Sequence, residues 1–298
     1  MALPARAEVV AFPARRSQGR ALLADMRPRQ WSKNLLLFAG LVFAAKLGDP
    51  LRWLEACTAF AAYCAASSAA YLVNDVVDAE RDRSHPLKRL RPVARGELSP
   101  RTALVSAAAL GVVACVLVAP LGLASMAFLA GFLALQGAYS FALKHIVLVD
   151  VFAIAALFVI RSAAGAAAVD VRISPWLLLV TALLALFLAL AKRRSELVVA
   201  GSGRPVLEGY SVALVDQLIS ITVASTIAAY AIYTFTAHSP ALMATIPFVV
   251  FGLFRYLLLV HRDDLGEEPE NVLLSDRPLV LAVAGWAVTA AVILALTS

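Results

Sequence analysis

The sequence predicts an all-α, polytopic integral membrane protein, and three observations carry that expectation. Apolar residues make up 61% of the 298-residue chain, whereas charged residues make up only 15%. The apolar residues gather in runs near the length of about 20 residues that a helix needs to cross a hydrocarbon core of about 30 Å. Lys and Arg concentrate in alternate connections between those runs. This composition excludes an ordinary soluble enzyme. Cys57, Cys64 and Cys115 all lie inside apolar runs, so neither a disulfide framework nor a zinc site is indicated.

Residues 1–26 read as a poorly ordered tail carrying Arg6, Arg15, Arg16 and Arg20. No apolar core follows those arginines closely enough for a cleaved signal peptide. Residues 27–298 read as a single transmembrane domain of nine spans: 34–48, 51–74, 101–119, 121–142, 147–169, 174–191, 212–236, 241–260 and 278–297. The first is short and needs Trp31 and its neighbours to complete it. Periodicity cannot orient helices that are apolar all round. Basic residues do it instead. The tail, the 75–100 loop, the 143–146 turn and the 192–211 and 261–277 loops hold nearly all Lys and Arg, against Lys46, Arg52 and Arg172 opposite. The positive-inside rule then places the amino terminus in the cytoplasm and the carboxyl terminus outside the plasma membrane.

Between the second and third runs lies YLVNDVVDAERDRSHPLKRLRPVARG, residues 71–96, beginning at Tyr71. Asn74, Asp78 and Asp82 stand at i, i+4 and i+8, with Asp75 one turn before Asp78, so a helix sets them in a row along one face. Oxygen ligands converging in this way suit Mg²⁺, which shares itself readily with substrate phosphates. Arg81, Arg83, Lys88, Arg89, Arg91 and Arg95 follow within reach of any anion held there. A topology signal accounts for the bases but not for the ordered acids.

Further clusters face the same side. Arg27, Arg29 and Lys33 precede the first span; Tyr139, Ser140, Lys144 and Asp150 flank the turn between the fourth and fifth. Lys192, Arg193, Arg194 and Glu196 end the sixth, and Arg204 and Tyr210 follow. Bases at span ends also snorkel to headgroups, and that account suffices for Arg29 or Arg194 alone. For Lys33, Lys144 and Lys192 spacing leaves anchoring and substrate binding equally open. Arg161 stands apart, 11 residues after Asp150, or about 16 Å along the fifth helix and on the same face. A charge at that depth must face a polar cavity or a partner, a buried ion pair between helices being the structural alternative.

Residues 74–82, NDVVDAERD, carry the NDxxDxxxD signature, and by it the chain resembles the UbiA-type membrane prenyltransferases. Within that superfamily it is similar to the decaprenyl-phosphate phosphoribosyltransferases through RPRQWSKN (27–34), DRSHPLKRLRPVARG (82–96), YSFALKHIVLVD (139–150), FVIRSAAGA (158–166), AKRRSEL (191–197) and RPVLEGYS (204–211). One departure from the wider superfamily is a missing second aspartate-rich motif after the sixth span. KRRSELVVAGSGRPVLEGY stands there, and its bases bind phosphate directly instead of holding a second metal.

The resemblance implies a UbiA-like bundle with a cytoplasmic active-site mouth. It implies phosphoribosyl pyrophosphate as donor and a polyprenyl phosphate, such as decaprenyl phosphate, as acceptor, in the synthesis of cell-wall arabinan precursors. Mg²⁺ on Asn74 and Asp78, supported by Asp75 and Asp82, would neutralise the departing pyrophosphate, with Lys88 and Arg95 beside it. Substrate contacts are expected from Lys33, Tyr71, Lys88, Arg89, Arg95, Tyr139, Lys144, Asp150, Arg161, Lys192, Arg193 and Arg204. No general base is needed, because the acceptor phosphate, with a second pKa of about 6, is largely a dianion at neutral pH. His85 is equally a ligand or a cap of its loop. No nucleic-acid partner is expected, and a homo-oligomer is left open. Two rival classes are an ordinary UbiA prenyltransferase using a prenyl diphosphate donor and a permease for an anionic solute. The latter lacks the internal repeat such folds show.

Overall fold

The computed structural model describes residues 15–43, 46, 48–84, 88–198, 205–236, 240–262, 272 and 275–297. Every regular element among them is helical. A short helix α1 (Gln18–Asp25) leads into a 3₁₀ segment, Pro28–Phe38, and the short α2 (Ala39–Phe43). There follow α3 (Pro50–Val77), α4 (Ala79–Ser84), α5 (Pro100–Val118), α6 (Leu123–Phe141), α7 (Val149–Ala168), α8 (Pro175–Val198), α9 (Val212–Thr236), α10 (Ile246–Arg262) and α11 (Arg277–Thr297). Eight helices, α3 and α5 to α11, are long and apolar enough to cross a membrane by length and composition. The first expected span, 34–48, instead begins as the 3₁₀ segment and continues into α2. Pro28 fixes its start, and Arg27 enters it in the left-handed region at φ 54°.

Local chemistry sets the helix starts. The Asp49 carboxylate accepts from the backbone N–H groups of Leu51 and Arg52 ahead of Pro50. The Ser99 hydroxyl accepts from Thr102 N–H ahead of Pro100. Both pair an N-cap with proline at the first helical position, where its missing N–H costs nothing.

Two helices form the centre. In their most apolar stretches 61% of α3 and of α7 is buried, against 17–33% for the other six spans. Their sequences explain this. Helices in lipid associate by close packing rather than by hydrophobic burial, which favours small residues at the contacts. α3 supplies Ala56, Ala59, Ala62, Ala65, Ala66 and Ala69, and α7 supplies Ala153, Ala155, Ala163, Ala164, Ala166 and Ala168, all buried. Gly165 permits the tightest approach: a Cβ there would stand 2.0 Å from the Leu37 carbonyl oxygen. The 3₁₀ segment is therefore laid backbone to backbone on α7. On α3 it is held by Trp31, whose indole N–H donates to Ser68 Oγ at 3.0 Å.

Part of the expected tail is ordered. α1 buries Ala21 and Asp25 against α3, in a cluster with Ala69, Leu72, Val93 and Leu98. Its single apolar turn is too short to stand out beside four arginines, and residues 1–14 lie outside the described residues.

Candidate functional site

Charged contacts between elements gather at one end of the bundle, where α3 ends and α7 begins. The acid row divides there into two unlike halves. Asp75 is 1% exposed, and both its oxygens accept from Arg27, which also lies over the Tyr71 ring at 4.9 Å from the centroid. Arg91 Nη1 donates to Asp75 at 3.1 Å and to Asp82 at 2.6 Å. Asp75 and Asp82 are thus covered by guanidinium groups. They tie residue 27 and the basic loop to the end of α3 instead of lining an opening. Burial raises Asp82 above the usual carboxylate range, with Arg91 working against it.

The other half stays open. Asp78 is the C-cap of α3, part exposed, and Lys144 Nζ donates to both its oxygens at 2.9 Å. Arg81 stands 3.9 Å away. Asn74, one turn earlier and half-buried, has a side-chain amide free of hydrogen-bond partners among the described residues. The Asn74 carbonyl and the Asp78 carboxylate at i, i+4 are hard oxygen donors that fit Mg²⁺, a cation bound through one or two protein groups plus substrate phosphate. Among the described residues there is no cluster of three or more His, Cys, Asp or Glu arranged to hold a metal by itself. A divalent ion would therefore depend on the substrate's oxygens for the rest of its shell.

The expected bases fall into two groups. Lys88 and Arg89 lie on a short 3₁₀ turn, Lys88–Leu90, with Lys88 close enough to Asp82 for electrostatic contact. Arg95 reaches Glu97 at 3.2 Å, and Lys144 touches Asp78 as described. Lys33 and Lys192 are half-buried on the 3₁₀ segment and on α8. Arg193, by contrast, is 1% exposed. Its Nε donates to Asp150 at 2.6 Å and its Nη1 to Glu196. Asp150 also accepts from the Tyr210 hydroxyl at 2.6 Å, and that hydroxyl accepts from Leu148 N–H at 2.7 Å. Tyr139 is in electrostatic contact with the same Arg193. These residues lock α7, α8 and the segment before α9 together behind the mouth. Arg204 and His85 lie outside the described residues.

Asp150 and Arg161 share a helix but stand about 16 Å apart along it, and each meets a partner from elsewhere, Asp150 taking Arg193. Arg161 instead donates from Nε to Asn34 Oδ1 at 2.8 Å and from Nη1 to the Leu157 carbonyl at 3.1 Å. The Phe132 and Phe158 rings flank it, with centroids 4.7 and 5.4 Å from the guanidinium carbon. Asn34 donates in turn to Cys64 Sγ. Among the described residues no carboxylate lies within ion-pair distance of Arg161.

Sequence reasoning missed Asn34, Asp25 and the binding duty of Arg27 and Arg91. Asn34 stands inside RPRQWSKN, which was the available signal. Asp25 gave none. It ends α1 at 1% exposure beside Asp75, with neither oxygen hydrogen-bonded. Burial first, and the Asp75 carboxylate second, push it up to about 8. A proton on Asp25 supplies the donor that two adjoining carboxylates lack.

Comparison with known proteins places this geometry. Residues 35–276 match the UbiA prenyltransferase family. A decaprenyl-phosphate phosphoribosyltransferase of Mycolicibacterium smegmatis is 33% identical over 287 residues, covering 89% of each chain. One of Mycobacterium tuberculosis is 34% identical over 280 residues, covering 89% of this chain and 91% of the relative. Among solved structures, a UbiA homolog from Archaeoglobus fulgidus bound to GPP and Mg²⁺ superposes with a TM-score of 0.73 at 18% identity, over 92% of this chain and 99% of its own. With the family matched across the bundle and the fold shared, the chain belongs to the UbiA prenyltransferase family as a multi-pass membrane protein.

Proposed function

We propose that this protein is a Mg²⁺-dependent phosphoribosyltransferase that moves the 5-phosphoribosyl group from phosphoribosyl pyrophosphate to a polyprenyl phosphate such as decaprenyl phosphate. The observation that carries the reading is the open Asn74–Asp78 pair facing Lys144, within a mouth where basic residues replace a second acidic motif. The relatives named decaprenyl-phosphate phosphoribosyltransferase support it over nearly the whole chain. The product is a precursor of cell-wall arabinan by the same likeness. The working arrangement is nine crossings, with the 3₁₀ segment and α2 as the first, and with the mouth and amino terminus on the cytoplasmic side of the plasma membrane. The gathering of bases at one end supports that orientation.

In the reaction the anomeric C–O bond of the donor breaks and pyrophosphate leaves with the electron pair. An oxygen of the acceptor phosphate forms the new bond to the anomeric carbon. Asn74 and Asp78 would hold Mg²⁺, which when bound would supply positive charge for the departing pyrophosphate. Asp75 and Asp82 act one step back, holding Arg27 and Arg91 at the rim. Lys144, on Asp78, and Lys88, beside Asp82, are the ammonium groups nearest the leaving group. Lys33, Lys192 and Arg95 complete the positive wall. No residue has to remove a proton, since a phosphate with a second pKa of about 6 arrives ionised at neutral pH.

Pyrophosphate release by purified protein tests the reading against the prenyltransferase alternative. With decaprenyl phosphate present, release is expected with phosphoribosyl pyrophosphate and not with a prenyl diphosphate. The reverse preference, with an aromatic or lipid acceptor being prenylated, would overturn it.

A further inference from the structure

Arg27, Arg91, Arg193, Arg194 and Arg255 each meet a carboxylate. Arg161, inside α7 and 5% exposed, meets the amide oxygen of Asn34 instead. A guanidinium does not lose its proton in a protein, so among the described residues this is a buried charge without a counterion. The Phe132 and Phe158 faces and the Leu157 carbonyl offset part of that cost. Aspartate has the size and shape of asparagine, and at position 34 it would neutralise the charge. Asn34 therefore orients Arg161 and leaves its charge in place. The close approach of the 3₁₀ segment at Gly165, one turn after Arg161, is what brings Asn34 within reach.

Two further features show what that charge suits. The first is its spare donors. Nε and Nη1 each make one hydrogen bond, and Nη2 makes none among the described residues. The second is a polar row. Tyr63, Ser67 and Tyr71 follow at i, i+4 and i+8 on α3, and Asn74 and Asp78 continue the same face to the mouth. Tyr63 and Tyr71 are both in electrostatic contact with Arg161. Tyr63 and Ser67 are 1% and 4% exposed, and their hydroxyls have no hydrogen-bond partner among the described residues. Spare donors around an unneutralised cation suit an anion with several acceptor oxygens.

We propose that Asn34 is a positioning residue, which aims the Arg161 guanidinium at a substrate phosphate without neutralising it. The phosphate then supplies the missing counterion when it binds. The inference rests on the phosphoribosyl-transfer reading, which brings two such groups, the 5-phosphate of the donor ribose and the headgroup of the lipid acceptor.

Asn34→Asp and Asn34→Ala separate positioning from scaffolding. If Asn34 only held the bundle together, Asn34→Ala, which loses the bond to Arg161, would be the worse variant in every measurement. Positioning predicts a crossover. Asn34→Asp keeps that bond and gives Arg161 a counterion, so its melting temperature should equal or exceed that of the wild type while phosphate affinity falls at least tenfold. Asn34→Ala should melt lower and bind more tightly than Asn34→Asp. Calorimetry in nanodiscs reads the affinities, with ribose 5-phosphate and farnesyl phosphate as separate probes. Weakening of one, the other or both names the phosphate that Arg161 receives. The loss in Asn34→Asp should disappear when Arg161 is already Gln, as it must if the effect passes through that guanidinium. Should Asn34→Asp fail to fold, Asn34→Ala takes its place in the same double-mutant comparison, with the same criterion. The proposal is overturned if Asn34→Asp binds both probes as the wild type does, if its loss persists beside Arg161→Gln, if Asn34→Ala is the weaker binder of the two, or if the wild type binds neither probe. Because binding does not require turnover, the predicted losses in a protein without ribosyl transfer would defeat the functional reading alone. Transfer with probe affinities untouched in Asn34→Asp would defeat the positioning alone.

Discussion

Asp75 and Asp78 stand three residues apart near the end of one helix, in unlike surroundings. Asp75 is buried under Arg27 and Arg91, whereas Asp78 is part exposed and faces Lys144. Removing one partner from a buried ion pair costs about 3–5 kcal/mol. The arginines here are about a quarter exposed, which places Asp75→Ala toward the lower end of that range. It should lower the melting temperature in detergent. Asp78→Ala, which breaks the one close ion pair with Lys144 where Asp75→Ala breaks two, should lower the melting temperature by less than Asp75→Ala, while turnover falls below detection. Measuring melting and turnover on both variants checks the division, and a stable, inactive Asp75→Ala would reverse it. Arg27 itself sits at φ 54°, in a backbone region that costs about 1–3 kcal/mol for a non-glycine residue. The hold of Nη2 on both Asp75 oxygens offsets that strain. Arg27→Lys keeps the charge but loses the planar guanidinium over the Tyr71 ring, and should destabilise the protein while leaving the KM for Mg²⁺ unchanged.

Among the elements, α1 and the 3₁₀ segment form the entrance, and each has its own test. α1 docks through Ala21 and Asp25, and the Asp25 carboxyl is raised to about 8 by burial and then by Asp75. An acid raised in the fold binds its proton more tightly there than in the unfolded chain. Its contribution is therefore full below about pH 4 and lost as pH rises through about 8. Trypsin cleavage at Arg20 should accelerate between pH 6 and pH 9 as α1 lifts. Asp25→Asn, neutral throughout, should flatten that profile. An unchanged profile in Asp25→Asn would remove Asp25 from the explanation. The 3₁₀ segment depends on Gly165, where an added Cβ would meet the Leu37 carbonyl at 2.0 Å. Gly165→Ala should cost about 1–3 kcal/mol by overpacking. It should also pull Asn34 away from Arg161, so that thermal stability falls further than in Gly131→Ala.

Across the whole molecule, the sequence made legible what depends on neighbours in the chain. Apolar runs marked the long helices, and NDVVDAERD marked the acid row, because both signals repeat within a few residues. What it hid depends on partners far apart. Asp75 belongs to the acid row in the sequence, and nothing there shows that Arg27, 48 residues earlier, covers it until the chain folds. Arg193 stands in a basic run suited to phosphate, and the ion pair it makes with Asp150, 43 residues earlier, is equally invisible there. Arg161 calls for a polar cavity or a partner at its depth, and Asn34, which it meets, lies 127 residues away. In each case a base count fixes how many cations the chain carries but not which partner takes each one. The proposed role of the Asn74–Asp78 pair in ribosyl transfer to a lipid phosphate is checked by incubating purified protein in nanodiscs with ribose-labelled phosphoribosyl pyrophosphate, Mg²⁺ and decaprenyl phosphate. Label should enter an organic-soluble phospholipid, and the transfer should be abolished by chelation and by Asp78→Ala and restored to the wild type by Mg²⁺. Label confined to the aqueous phase, or lipid labelling that survives in Asp78→Ala, would contradict it.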